Sequence, residues 1–163
     1  MSIDVIIAKD KGAICMGDAR AAVEAIPHFD VVVLCAEEFQ PTREMIRNGK
    51  RRVALVYAPI DDAELSEKEL MIATRAADIV AEMFEQGKQV LVTCMAGRNR
   101  SGLVVALALH MLSGAGGVAA RRIVRERRTS ADGPALSNPS FNALLDNIPA
   151  RAPPTLRLAG GPR

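Results

Sequence analysis

The stretch from Val90 to Leu112 constrains the fold more than any other. It opens as an apolar, β-branched run, Val90-Leu91-Val92, and crosses a short polar loop, Thr93-Cys94-Met95-Ala96-Gly97-Arg98-Asn99-Arg100. From Ser101 to Leu112 it is then apolar nearly all round. The first part reads as a buried strand and the last as a buried helix. A strand passing through a tight loop into a helix needs a sheet covered by helices. The same arrangement gathers backbone N–H groups and a helix N-terminus around one point, which suits an anion.

The flanking chain repeats the alternation. Ser2–Ala8 reads as a strand, Lys9–Gly12 as a turn, and Ala13–Met16 as the hairpin partner. Gly17-Asp18 opens a helix of about ten residues, with Asp18 as N-cap and Pro27 as its stop. Asp30–Ala36 carries an apolar run typical of a central strand covered on both faces. Glu37–Lys50 is polar and reads as loop with a short helix over Pro41–Arg47, and Arg52–Ala58 is the next strand. Ser66 and Glu69 have capping-box spacing, so a helix should run from there to about Gln86, with Gly87 as its stop. Gln89–Thr93 is a strand, Val118–Arg128 a basic helix, Thr129–Pro139 a loop and Ser140–Ile148 a short last helix. Strands alternating with helices predict an α/β fold with a central, largely parallel sheet flanked by helices. Residues 1–150 are expected to form a single catalytic domain, and 151–163, rich in Pro, Gly and Arg, a flexible tail.

Composition sets the class. With 163 residues, 49% hydrophobic and 25% charged, the chain has the make-up of an ordinary globular protein. No apolar run approaches a membrane span, and no basic n-region marks a signal peptide. Cys15, Cys35 and Cys94 have neither disulfide-framework nor zinc spacing, which points to a reducing compartment and a cytoplasmic location. Cys15 and Cys35 read as core residues. His28 and His110 are too few and too isolated for a metal site, so no metal and no cofactor are expected. Residues 121–163 carry 8 basic and 3 acidic side chains, a positive third that either faces an anionic substrate or is simply solvated.

The loop supplies the chemistry. The amides of Met95, Ala96, Gly97, Arg98, Asn99 and Arg100 can wrap an anion, and Gly97 lets the backbone come close. Arg100 adds a planar fork suited to two phosphate oxygens. A cysteine among amides, beside an arginine and a helix N-terminus, belongs to the class whose pKa falls to about 3.5–7.5. Cys94 is therefore placed as a nucleophile. Asp61 and Asp62 follow a strand whose end lies on the same sheet edge, and one of them can act as general acid and then as base. Ser101 can donate a hydrogen bond to the departing thiolate.

Cys94, Arg100 six residues on, Gly97 between them and Ser101-Gly102 after them resemble the signature loop of the cysteine-dependent protein tyrosine phosphatase superfamily, in its small dual-specificity branch. Pro59-Ile60-Asp61-Asp62 resembles that branch's general-acid loop, with Asp62 lying 32 residues before Cys94. Val124 to Arg128 and the segment Asn138-Pro139-Ser140-Phe141, with Leu144-Leu145, resemble its later elements, so the likeness spans residues 2–148. The resemblance implies a dual-specificity-phosphatase-like fold. It implies Cys94 as nucleophile, Arg100 as phosphate clamp, Ser101 as aid to thiolate departure, and Asp62 as acid and base, with Asp61 as the alternative. Asn138 either braces the loop or is a plain turn residue. The family usually has His before the cysteine; here Thr93 stands there, which predicts a less acidic thiol.

The function expected is metal-independent hydrolysis of phosphomonoesters in proteins, phosphotyrosine and also phosphoserine or phosphothreonine, through a cysteinyl-phosphate. Arg98 inside the loop opens an alternative, phosphoinositide or RNA 5′-phosphate substrates, unless it points to solvent. A third reading is an inactive phosphobinding module.

Overall fold

The computed structural model describes residues 2–39, 45–48 and 51–152. In chain order its elements are β1 (Ile3–Lys9), β2 (Gly12–Asp18), α1 (Ala19–Ala25), β3 (Val31–Leu34), β4 (Met45–Asn48), β5 (Arg51–Tyr57), α2 (Glu67–Glu85), β6 (Gln89–Cys94), α3 (Arg100–Ser113), α4 (Gly117–Arg127) and α5 (Pro139–Asp146). Single 3₁₀ turns at Ile26–His28 and Glu37–Phe39 follow α1 and β3.

The strands form one sheet in the order β1-β2-β6-β3-β5-β4. The four inner strands are parallel, and each edge strand joins antiparallel. Strand alternation splits the core into two layers. Ile14, Met16, Val31, Val33, Val90 and Val92 face the larger layer with α2 to α5. Cys15, Val32, Leu34, Val53, Leu55 and Leu91 face a smaller one, closed by Ala25 and Phe29. The central helix α3 is buried without a break from Arg100 to Leu109, as its all-round apolar sequence requires. The helix α2 starts with the expected capping box at Ser66 and Glu69, and Gly87 follows it at φ 75°.

Two expectations change. Gly17 and Asp18 belong to β2, and α1 is a seven-residue helix running into a 3₁₀ turn that contains Pro27. Where a helix was expected over Pro41–Arg47, residues 45–48 form a strand; the remainder, 41–44, lies outside the described residues. Met45 and Ile46 pair with Ala54 and Val53. Residues 153–163 of the expected tail also lie outside the described residues.

Because β2, β3, β5 and β6 run in parallel, their carboxyl ends share one edge. Ligand sites in such sheets lie outside that edge. Here it gathers Asp18-Ala19, the turn holding Glu38, Asp61-Asp62 and the loop 94–100. Asp61-Asp62 is two strands from Cys94, since β3 lies between β5 and β6.

Candidate active site

An anion cradle needs amides pointing in and carbonyls pointing out, and each outward carbonyl needs a donor. The structure supplies the donors one by one. The Met95 carbonyl accepts from the Ala19 amide at 3.3 Å, that of Arg98 from the Leu136 amide at 3.2 Å and that of Asn99 from the Leu103 amide at 2.8 Å. The Gly97 carbonyl accepts from Arg128 Nε at 2.8 Å. The amides of Met95 to Asn99 donate to no acceptor among the described residues. Gly97 has φ 62°, and a Cβ there would lie 2.6 Å from the Gly17 carbonyl group. Only glycine fits that packing and that backbone conformation together.

Cys94 ends β6 with its side chain buried, and its Sγ lies 3.3 Å from Ser101 Oγ. Arg100 is 7% exposed. Its Nη1 and Nη2 each donate to one oxygen of Glu38 at 3.1 Å, and Nη1 also reaches the Ile60 carbonyl at 3.4 Å. Nε is buried and has no partner. A guanidinium carries five N–H donors. Glu38 and Ile60 take three, all at Nη1 and Nη2. The Nε–H and one Nη2–H remain along one side of the fork, spaced for two oxygens of a tetrahedral anion. The Arg100 hydrogen bonds hold the Glu38 carboxyl below the usual glutamate value.

The two aspartates separate clearly. Asp61 turns back on its own loop, its Oδ1 accepting from the Asp62 amide at 2.7 Å while its own amide donates to Glu69 Oε1 at 2.8 Å. Asp62 instead meets the cysteine loop: its Oδ2 accepts from Asn99 Nδ2 at 3.1 Å and its Oδ1 from Asn138 Nδ2 at 3.0 Å. Asn138 also caps α5 through Ser140 and Phe141.

No family model matches the sequence, and no curated protein matches it either. Solved structures do match. The chain is similar to Tk-PTP in its active form, at 27% identity over 88% of this chain and 93% of that one, with a TM-score of 0.65. It is similar to a mouse putative dual specificity phosphatase complexed with zinc tungstate, at 25% identity over 81% and 79% of the two chains, TM-score 0.62. PTPMT1 in complex with PI(5)P shares the fold at 16% identity over 90% and 93%, TM-score 0.61. These likenesses support the cysteine-dependent tyrosine and dual-specificity phosphatase superfamily for this chain. Its fold is that of the dual-specificity branch, and phosphatase chemistry is supported with it.

Within that superfamily the chain has its own features. Thr93, where the resemblance would put His, is 2% exposed and its hydroxyl donates to the Val33 carbonyl at 3.3 Å, tying the loop's entry to β3. Arg98 turns neither to solvent nor to the cradle: Nε donates to the Pro134 carbonyl at 3.2 Å and Nη2 to Ser137 Oγ at 3.3 Å. Three arginines of the basic C-terminal third are also engaged. Arg121 pairs with Asp146 at 2.8 Å, Arg125 donates to the Ala135 and Leu136 carbonyls, and the fully buried Arg128 pairs with Asp4 at 2.6 Å. Cys35 is fully buried, and that burial pushes its thiol well up. Among the described residues no group of three His, Cys, Asp or Glu could hold a metal ion, and no helix is long and apolar enough to cross a membrane.

Glu38 and Asn99 are the two site side chains that residue spacing does not reveal. Glu38 sits just past the carboxyl end of β3, so the shared strand edge is the signal that would have found it.

Proposed function

We propose that the protein is a metal-independent phosphatase hydrolysing phosphomonoesters on proteins, phosphotyrosine and also phosphoserine or phosphothreonine, through a cysteinyl-phosphate. The observation that carries the reading is the open side of the Arg100 fork. A buried cation with its remaining donors unpartnered, beside unpartnered loop amides, suits a dianionic tetrahedral group.

In this reading the phosphoryl group lies on the amides of Met95 to Arg100 and on Nε and Nη2 of Arg100. The Cys94 thiolate attacks phosphorus as the ester P–O bond breaks, and Asp62 gives its proton to the leaving oxygen. Water then attacks the phosphorus, Asp62 takes a proton from it, and Cys94 leaves as thiolate with the Ser101 hydroxyl donating to it. Asp62 rather than Asp61 fits the acid, because Asp62 is the one bonded to the cysteine loop. The engagement of Arg98 by Pro134 and Ser137 speaks against extra phosphates of phosphoinositides or RNA 5′ ends being read there. Three free cysteines fit a reducing compartment such as the cytoplasm.

The test is hydrolysis of p-nitrophenyl phosphate in the presence of a chelator, with Cys94→Ser as control and acid-quench trapping of the phosphoenzyme. Activity lost in Cys94→Ser and a label on Cys94 support the reading. Binding of phosphopeptide without turnover would leave the inactive module. A panel of phosphotyrosine and phosphothreonine peptides, phosphoinositides and 5′-triphosphate RNA then ranks the substrates.

A further inference from the structure

Asn99 stands at the N-cap of α3, a position where asparagine ordinarily bonds an amide of its own helix. Its side chain makes no such bond. Its Oδ1 instead accepts from the Ser137 amide at 2.8 Å, from Ser137 Oγ at 3.1 Å and from the Asn138 amide at 3.3 Å. Backbone amides can only donate, so they settle which end of the carboxamide is oxygen. The Nδ2 end therefore faces Asp62 Oδ2, at 3.1 Å.

The same logic fixes Asn138. Its Oδ1 accepts the Ser140 and Phe141 amides at the start of α5, which leaves Nδ2 to donate to Asp62 Oδ1 and to the Ala63 carbonyl. Asp62 is thus gripped on both oxygens by two carboxamides, each oriented by backbone amides behind it. One carboxamide belongs to the cysteine loop itself, next to Arg100. A carboxylate has about four acceptor sites, so one bond on each oxygen still leaves a place for a proton. A good capping residue that forgoes its own helix breaks a local rule, and such breaches gather at functional sites.

We infer that Asn99 is a positioning residue for the general acid: it ties Asp62 to the nucleophile's own loop, so that the acid and the phosphate cradle keep a fixed separation. This rests on the phosphatase reading and on Asp62 as the acid. Asn99 acts on the proton given to the leaving oxygen and taken from water, and not on phosphate binding.

The role has a signature that general destabilisation lacks. An acid matters most when the leaving group is poor, because a good leaving group departs without the proton. The experiment compares wild type, Asn99→Ala, Asn99→Asp, Asp62→Asn and Asn99→Ala/Asp62→Asn on aryl phosphates of graded leaving-group pKa. Inhibition by inorganic phosphate is measured alongside. Asn99→Asp keeps the acceptor for the Ser137 and Asn138 amides but sets a carboxylate oxygen against Asp62 in place of the donor, so it holds the loop where alanine does not; because its added charge lies beside the cradle, phosphate inhibition is compared in Asn99→Ala.

The expected result is a steeper dependence of kcat/KM on leaving-group pKa in both Asn99 variants. The loss should be about tenfold or more for the poorest leaving group, within the range set by a lost acid, and small for the best. Inhibition by phosphate should stay unchanged in Asn99→Ala, and the double variant should be no worse than Asp62→Asn alone. A uniform loss across leaving groups, weakened phosphate inhibition in Asn99→Ala, or losses that multiply in the double variant would overturn the role of Asn99. If Asp62→Asn itself leaves the dependence unchanged while Cys94→Ser is dead, the acid assignment falls, and this inference with it, but the cysteine chemistry stands.

Discussion

Arg128 donates its Nε hydrogen to the Gly97 carbonyl at 2.8 Å from a position with no solvent exposure, while its Nη1 holds Asp4 Oδ2 at 2.6 Å. The first strand of the sheet thus helps turn the cradle's carbonyl outward, across more than ninety positions of sequence. Nη2 adds the Ser2 carbonyl and hydroxyl.

Removing one partner of this pair strands the other charge. Breaking a buried ion pair from one side costs about 3–5 kcal/mol. Asp4→Ala should therefore lower the melting temperature and also reduce kcat/KM, because the Gly97 peptide loses its guide; thermal denaturation and steady-state kinetics check both. Burial raises the Asp4 pKa, but its hydrogen bonds from Ser130 and Arg128 outweigh that and leave it below the ordinary 3.8. The contribution is thus present in full above the ordinary value and is lost as pH falls through the lower folded one. Acid denaturation of Asp4→Asn should lack that component.

Glycine substitutions should divide sharply. Gly97→Ala puts a methyl 2.6 Å from the Gly17 carbonyl group and 2.7 Å from Arg128 Nη2, at φ 62°. The backbone term alone is about 1–2 kcal/mol, and the clash displaces the loop, so turnover should drop by about 10² or more. Gly102→Ala meets only the buried Leu136 side chain, at 3.0 Å and at an ordinary helical φ, so a shift of a few tenths of an ångström relieves it and most of the activity should remain.

Glu38→Gln should raise KM and weaken inhibition by inorganic phosphate while leaving the fold intact, since Glu38 is largely solvent-facing. Its carboxylate orients the Arg100 fork; glutamine offers one oxygen where two are needed. The Glu38 pKa lies below the ordinary 4.5 because Arg100 bonds it. The pair is fully present above that value and is lost as pH falls through the lower folded one. Phosphate affinity in the wild type should hold down to pH values where a free glutamate is already half protonated.

Arg98→Ala should reduce turnover of every substrate in the panel by a similar factor. Its guanidinium holds the Pro134 carbonyl and Ser137 Oγ, and Ser137 in turn donates to Asn99. A selective loss on phosphoinositide or triphosphate RNA would show that the side chain reaches substrate.

The strand–loop–helix stretch, the parallel sheet and the capping box at Ser66 were legible because each is written in a local pattern. Asp62 was legible only to within one residue, since two adjacent aspartates offer the same chemistry until the fold decides which one Asn99 and Asn138 hold. Glu38 and Asn99 were not legible as partners of Arg100 and Asp62, because their partners lie far off in sequence and no periodicity links them. Arg125 and Arg128 belong to a basic third that reads as facing substrate or as solvated, and Arg98 reads as facing substrate or solvent, whereas all three donate to backbone carbonyls, which composition does not reveal. The strand at Met45–Asn48 was not legible because it is four residues long and lies in a polar stretch without strand alternation.

Glu69 gives the capping box a second meaning. Its Oε2 accepts from the Ser66 amide at 3.0 Å, and its Oε1 accepts from the Asp61 amide at 2.8 Å. One carboxylate therefore closes the first turn of α2 and pins the acid loop. Fraying of that turn and release of the Asp61 amide become a single opening event, with amides that exchange hydrogen together. Warming should then loosen the backbone leading to Asp62 before the sheet melts, with Asn99 and Asn138 left to hold its carboxylate.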